Sequence, residues 1–128
     1  MAKMKRNTKE LRRVVAALLS GVAPSVSFSD TTQESYPHTV FDLSQVLYDS
    51  GRMLYTLEVN IVYYGDDSTV ADDTADRVQE LFDGGNYNGD KISFYTRINT
   101  RNNVIEADKS VIRRRLLFEL NLYSKEEM

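Results

Sequence analysis

Apolar and polar side chains alternate along several stretches of the chain, which is the pattern of half-buried β-strands. The clearest alternation covers residues 53–64, where one of the two faces is richer in apolar side chains. A second long alternation covers residues 110–123. Shorter runs of the same kind cover residues 25–30, 39–47 and 92–100. The pattern therefore predicts about five strands.

Two other stretches repeat their apolar residues every three or four positions, which is the spacing of an amphipathic helix. The first predicted helix starts near Thr8, which can cap it, and ends before Gly21. Its apolar stripe consists of Leu11, Val14, Val15, Leu18 and Leu19. The second predicted helix covers residues 69–83 and is stopped by Gly84-Gly85, with a stripe of Ala71, Ala75, Val78, Leu81 and Phe82.

Polar segments at residues 86–90 and 99–108 are predicted to be loops. The resulting order of elements is α-β-β-β-α-β-β. Strands in blocks with two helices predict an α+β fold, in which an antiparallel or mixed sheet of about five strands packs both helices on one face. We expect residues 1–128 to form a single domain with short flexible termini.

The N-terminus has the order of an export signal, because basic residues precede an apolar stretch at residues 14–19 and small residues follow it. The apolar run is short, however, and it coincides with the helical stripe. We therefore favour a first helix that is retained and packed on the core over a cleaved signal.

Composition narrows the possible chemistry. The 128 residues include no Cys and a single His, His38, and the formal net charge is −3. These counts exclude disulfides, thiolate metal sites and a His-based zinc site. No apolar run approaches the roughly 20 residues that span a membrane. We expect no enzymatic activity, no cofactor and no structural metal.

Residues 66–90 form an acidic segment, which contains eight Asp or Glu residues and a single basic residue, Arg77. In one interpretation, these carboxylates bind a divalent cation or form an acid–base pair. We favour the other, in which they lie on a solvated helix face and Asp73 can pair with Arg77. Such a surface would repel phosphates or attract a basic partner. The candidate acidic surface consists of Asp72, Asp73, Asp76 and Glu80.

Three consecutive arginines open the last predicted strand. Strand alternation places Arg113 and Arg115 on one face and Arg114 on the other, in the apolar row. We predict that Arg113 and Arg115 contact a partner protein, because arginine is enriched at interfaces. For Arg114 the alternative is structural: it lies near the strand entrance and pairs with a carboxylate.

The order of elements and several short patterns resemble the small tail terminator (tail completion) proteins of long-tailed bacteriophages. The resemblance spans nearly the whole chain but includes no catalytic signature. The chain departs from the family in two places: His38 and Phe41 lie where the aromatic residues of a Tyr-Pro-Tyr type of entry are expected, and the N-terminus is basic. The patterns are Ser25-Val26-Ser27-Phe28, Tyr36-Pro37 before a strand, Glu80-Leu81-Phe82 at a helix end, and Arg113-Arg114-Arg115-Leu116 at the final strand.

The resemblance implies a structural role in the virion, with assembly in the host cytoplasm. Terminators of this kind form a hexameric ring on the head-proximal end of the tail tube. The ring stops tube polymerisation and presents the surface that joins the head–tail connector proteins, and DNA passes through its lumen without sequence-specific binding. The implied partners are therefore further copies of the chain, the tail tube protein and the connector proteins, with no membrane.

Three alternatives remain at this stage. The first is another neck protein, such as a head–tail connector or stopper. The second is a small nucleic-acid-binding module that uses its basic N-terminal residues. The third is an enzyme that holds a divalent ion on its acidic segment.

Overall fold

A computed structural model of the chain describes residues 8–29, 35–49 and 52–124. Two helices and six strands follow one another as α1 Thr8–Ser20, β1 Val26–Phe28, β2 His38–Asp49, β3 Arg52–Tyr64, α2 Thr69–Phe82, β4 Gly85–Asn88, β5 Ile92–Val104 and β6 Val111–Ser124. The predicted flexible termini, residues 1–7 and 125–128, lie outside the described residues. The single domain over 1–128 stays a prediction.

All six strands belong to one mixed sheet with the order β1-β2-β3-β6-β5-β4. β1 runs parallel to β2, and the other neighbouring strands are antiparallel. The long strands β3 and β6 form the centre because their alternating apolar residues give one continuous inward face. β1 and β4 are therefore the two edges of the sheet.

Both helices pack on the same face of this sheet, as predicted. Their buried side chains share one core with the inward residues of the strands. α1 contributes Leu11, Val14, Val15 and Leu19; α2 contributes Ala75, Val78 and Phe82; and the central strands contribute Met53, Tyr55, Leu57, Val59, Ile61, Leu116, Phe118, Leu120 and Leu122. Four of the five stripe residues of α1 are thus buried, and Leu18 is half-buried. The α+β class is confirmed.

The sheet has six strands where about five were predicted, because β4 lies where we expected a loop. Its residues pair in antiparallel register with β5, and the Tyr87 ring stacks on Phe94 with centroids 5.2 Å apart. Gly84, with φ +75°, lets the chain turn from α2 into this strand. The four residues are mostly polar, so only pairing with β5 makes them a strand.

β5 also extends further than predicted, to Val104. Its polar second half pairs with β6, for example Asn102 with Arg115, so backbone pairing replaces the expected loop. A bulge between Ile98 and Thr100 shifts the register there. A similar shift between Gln45 and Leu47 interrupts the alternation that we predicted for residues 39–47.

Candidate functional site

The sheet face opposite the helices carries the two arginines that we predicted to contact a partner. This surface, which we call the open face, consists of Glu58, Asn60, Arg113, Arg115, Leu117 and Glu119, all half-buried. Arg115 is in register with Asn60 on β3. Strand parity therefore separates Arg113 and Arg115 from the core row of β6, as predicted.

Both arginines of the open face pair with acids of their own chain. Arg113 Nε donates to Glu106 at 2.5 Å, and Arg115 Nη2 donates to Glu58 at 3.4 Å. Glu58 also accepts a hydrogen bond from Asn60 at 2.8 Å. Arg115 Nε is buried and has no hydrogen-bond partner among the described residues. Arg115 is therefore the less satisfied of the two guanidiniums.

Arg114 lies on the helix side and has the structural role given above as its alternative. It is 8% exposed, and its Nε donates to Asp72 of α2 at 2.6 Å. This hydrogen bond lowers the pKa of Asp72 below its ordinary value of 3.8, against the opposing effect of partial burial. The ion pair joins the start of α2 to the start of β6.

Arg101 also faces α2, a placement that the sequence did not reveal. Its Nη1 donates to Asp76 at 2.7 Å and to Gln79 at 3.0 Å. The β5 bulge turns Arg101 towards α2, because strict alternation from Ile98 would place position 101 on the open face. No sequence signal marks the bulge apart from the weak hydrophobicity of the segment around it.

The candidate acidic surface is consequently divided in two. Asp72 and Asp76 are bound by arginines of the sheet, whereas Asp73 and Glu80 are exposed and have no ion-pair partner in the described part of the chain. The expected pair between Asp73 and Arg77 is not formed there. The solvent-facing charge of α2 is therefore smaller than the sequence suggests.

His38 has a structural contact. The residue is 8% exposed, and its Nδ1 lies 2.7 Å from the backbone oxygen of Ser35, so this nitrogen is the donor. Its ring also lies 5.3 Å from that of Tyr36, which in turn lies 5.5 Å from Tyr64. Among the described residues, no group of three or more His, Cys, Asp or Glu is placed to hold a metal ion.

A groove that the sequence did not predict lies between α1 and the edge strand β1. The volume of this α1–β1 groove is about 720 Å³. Arg12 places its guanidinium 3.7 Å from the centroid of the Phe28 ring, a cation–π contact. The apolar part of the lining consists of Ala16, Val26, Phe28 and Phe41, and the basic part consists of Lys9, Arg12 and Arg13.

No protein-family model matches the chain, and no curated protein matches it. Across the described ranges, no helix is both long enough and apolar enough to cross a membrane. A function for the chain must therefore be argued from its residues and their arrangement.

Proposed function

We propose that this protein is a tail terminator of a long-tailed bacteriophage. In this role, six copies form a ring on the head-proximal end of the tail tube, stop its polymerisation and join it to the head connector. The protein is then a structural component of the virion, without catalytic activity or cofactor. The proposal is based on the order of helices and strands, which resembles that of this family.

The open face is the structural feature that most supports the proposal. It is a broad sheet surface that no helix of the described residues covers, and its centre consists of Leu117 and of charged and amide side chains. Arg115 is held there by a single long ion pair with Glu58, so a carboxylate of a partner can compete for it. We assign this face to the tail tube protein or the connector, with Arg113 and Arg115 as contact residues.

The acidic surface of α2 has a second role in this proposal. Asp73 and Glu80 are the members without an ion-pair partner among the described residues, and both present negative charge to solvent. If this helix borders the lumen of the ring, like charges keep the DNA phosphates from binding as they pass. Asp72 and Asp76 contribute less because Arg114 and Arg101 neutralise them.

The proposal is tested by imaging and by genetics. Electron microscopy of the purified protein, alone and with tail tubes, is expected to show six-copy rings with a central hole at tube ends. Removing the gene from the genome that carries it is expected to give free heads and tails of uncontrolled length. Normal tails without the protein would exclude the terminator role.

The open-face arginines are tested by the double variant Arg113→Ala/Arg115→Ala. Alanine is preferable to glutamate here, because glutamate would add repulsion against Glu106 and Glu58 within the same chain. We expect a folded, soluble protein that fails to limit tail length, since interface charges guide docking and specificity. Arg77→Ala is the control, because Arg77 is an exposed arginine of α2, on the opposite side of the sheet from the open face. Normal tail length in the double variant would show that these arginines do not lie at the interface.

A further inference from the structure

The α1–β1 groove requires an occupant with two chemical properties. Its apolar lining, which includes Ala16 and Phe28, is covered most favourably by an apolar side chain. Its rim carries Lys9, Arg12 and Arg13. Arg13 is paired with Glu10 at 2.7 Å, so Lys9 and the guanidinium of Arg12 that lies over Phe28 are the charges that favour carboxylates on an approaching surface. The chemistry of the groove thus calls for an apolar residue surrounded by acids.

The chain itself presents such a surface at the end where two turns meet. Ile105, in the turn between β5 and β6, is 96% exposed, more than any other exposed large apolar side chain described. The turn between β3 and α2 lies beside it, because Gly65 N donates to Ser110 O at 2.8 Å. We call this surface the Ile105 end; its acids, which form no ion pair among the described residues, are Asp66, Asp67 and Asp108. The same turn also exposes Lys109, so these three acids outnumber one basic residue there.

We infer that the α1–β1 groove binds the Ile105 end of a second copy of this chain. Within one copy the two surfaces do not meet, since Ile105 remains 96% exposed. The contact joins two different surfaces, so it is heterologous, and repetition of it gives a closed ring or an open filament. The inference deepens the proposed function, and it rests on that function for closure into a six-copy ring.

Two variants remove one side of the contact each. Ile105→Asp replaces the apolar side chain with a charge, and Ala16→Glu places a carboxylate inside the groove. Val46→Asp is the control for the first, because Val46 is an exposed apolar residue at 60%. Ala17→Glu is the control for the second, because Ala17 is the exposed neighbour on the same helix. Circular dichroism and urea unfolding verify that each variant is folded.

Size-exclusion chromatography with light scattering measures the result. We expect wild type and both controls to form the same oligomer. Ile105→Asp and Ala16→Glu are expected to associate at least about tenfold more weakly, as residues central to an interface do. An equimolar mixture of the two variants is expected to stop at dimers, because only one intact groove and one intact Ile105 end can meet.

The possible failures are distinguishable. If wild type forms rings and both variants form them equally well, the inferred contact is wrong while the terminator role stands. If the mixture rebuilds the full oligomer, the contact is not heterologous and the inference is overturned. A wild-type chain that stays monomeric at every concentration also overturns the contact, and the tail-length experiment then decides the proposed function separately.

Discussion

The pair between Arg114 and Asp72 shows how one residue can depart from the pattern around it. Arg114 occupies an inward position of β6, next to the apolar row, and is almost completely buried. A buried cation is tolerated only when it is paired and hydrogen-bonded. The carboxylate of Asp72, half exposed at the edge of α2, supplies that partner at 2.6 Å. The helix acid therefore has a structural role that its sequence context does not indicate.

Asp72→Asn is expected to destabilise the protein by about 1 kcal/mol, because it removes the charged partner of Arg114 while solvent screens part of the effect. The loss should depend on pH. Since the folded state lowers the pKa of Asp72 below 3.8, its contribution is complete above the unfolded pKa and is lost as the pH falls through the folded value. Urea unfolding at pH 6 and pH 3 checks this.

The difference in stability between wild type and Asp72→Asn should be complete at about pH 6 and should shrink as the pH falls below the unfolded value of 3.8, because the unfolded chain then binds a proton at Asp72 more readily than the folded one. Asp73→Asn is the matched control, because Asp73 is exposed on the same helix without an ion-pair partner among the described residues. An equal loss in both variants, or a difference that does not change with pH, would contradict the role of the ion pair.

At the scale of the element, β6 separates the core from the open face by strand parity. Leu116, Phe118 and Leu120 are buried against the helices, while Arg115 and Leu117 are half-buried on the other side. The Phe118 ring lies 5.4 Å from that of Phe82, which ties the centre of β6 to the end of α2. One strand can therefore carry stability on one face and recognition on the other.

Phe118→Ala is expected to cost about 3–5 kcal/mol, because it removes buried area and leaves a cavity. That is a large part of the roughly 5–15 kcal/mol that stabilises a typical domain. Leu117→Ala, one residue away, should cost less than about half as much because the open face leaves no closed cavity. Urea unfolding of both variants measures the contrast, and similar losses would show that parity does not divide β6 in this way.

At the scale of the whole molecule, the sheet has a stable centre and two weaker edges. β3 and β6 are 13 and 14 residues long and have a neighbouring strand on both sides, whereas the edge strands β1 and β4 have 3 and 4 residues. Short edge strands limit unwanted pairing between sheets. In this protein the β1 edge also forms one wall of the α1–β1 groove.

Hydrogen exchange is expected to follow this arrangement. Amides of β3 and β6 should exchange at the rate of global unfolding, whereas those of β4 should exchange faster through local opening. On oligomerisation, amides of β1 should gain protection and those of β4 should change little. Mass spectrometry of exchange at low and high protein concentration tests both statements. Protection gained at β4 instead of β1 would show that the subunit contact lies at the other edge of the sheet.

The sequence by itself determined the two helices, the long strands and the core faces, because each depends on a local period of apolar residues that burial enforces. It also determined the parity of Arg113, Arg114 and Arg115 within β6. The helix stripe around Leu11 and the strand row around Leu57 were predictable for the same reason. All of these features are repeated over many residues, so single exceptions do not obscure them.

Only the tertiary structure decided the rest. The polar strand β4 exists because β5 offers it a partner, and the β5 bulge turns Arg101 towards α2. The division of the acidic surface and the hydrogen bond that holds the turn before α2 beside the turn before β6 likewise depend on distant segments. A local pattern contains no information about which strand pairs with which, or where one extra residue shifts a register, because those outcomes are set by contacts between residues far apart in sequence.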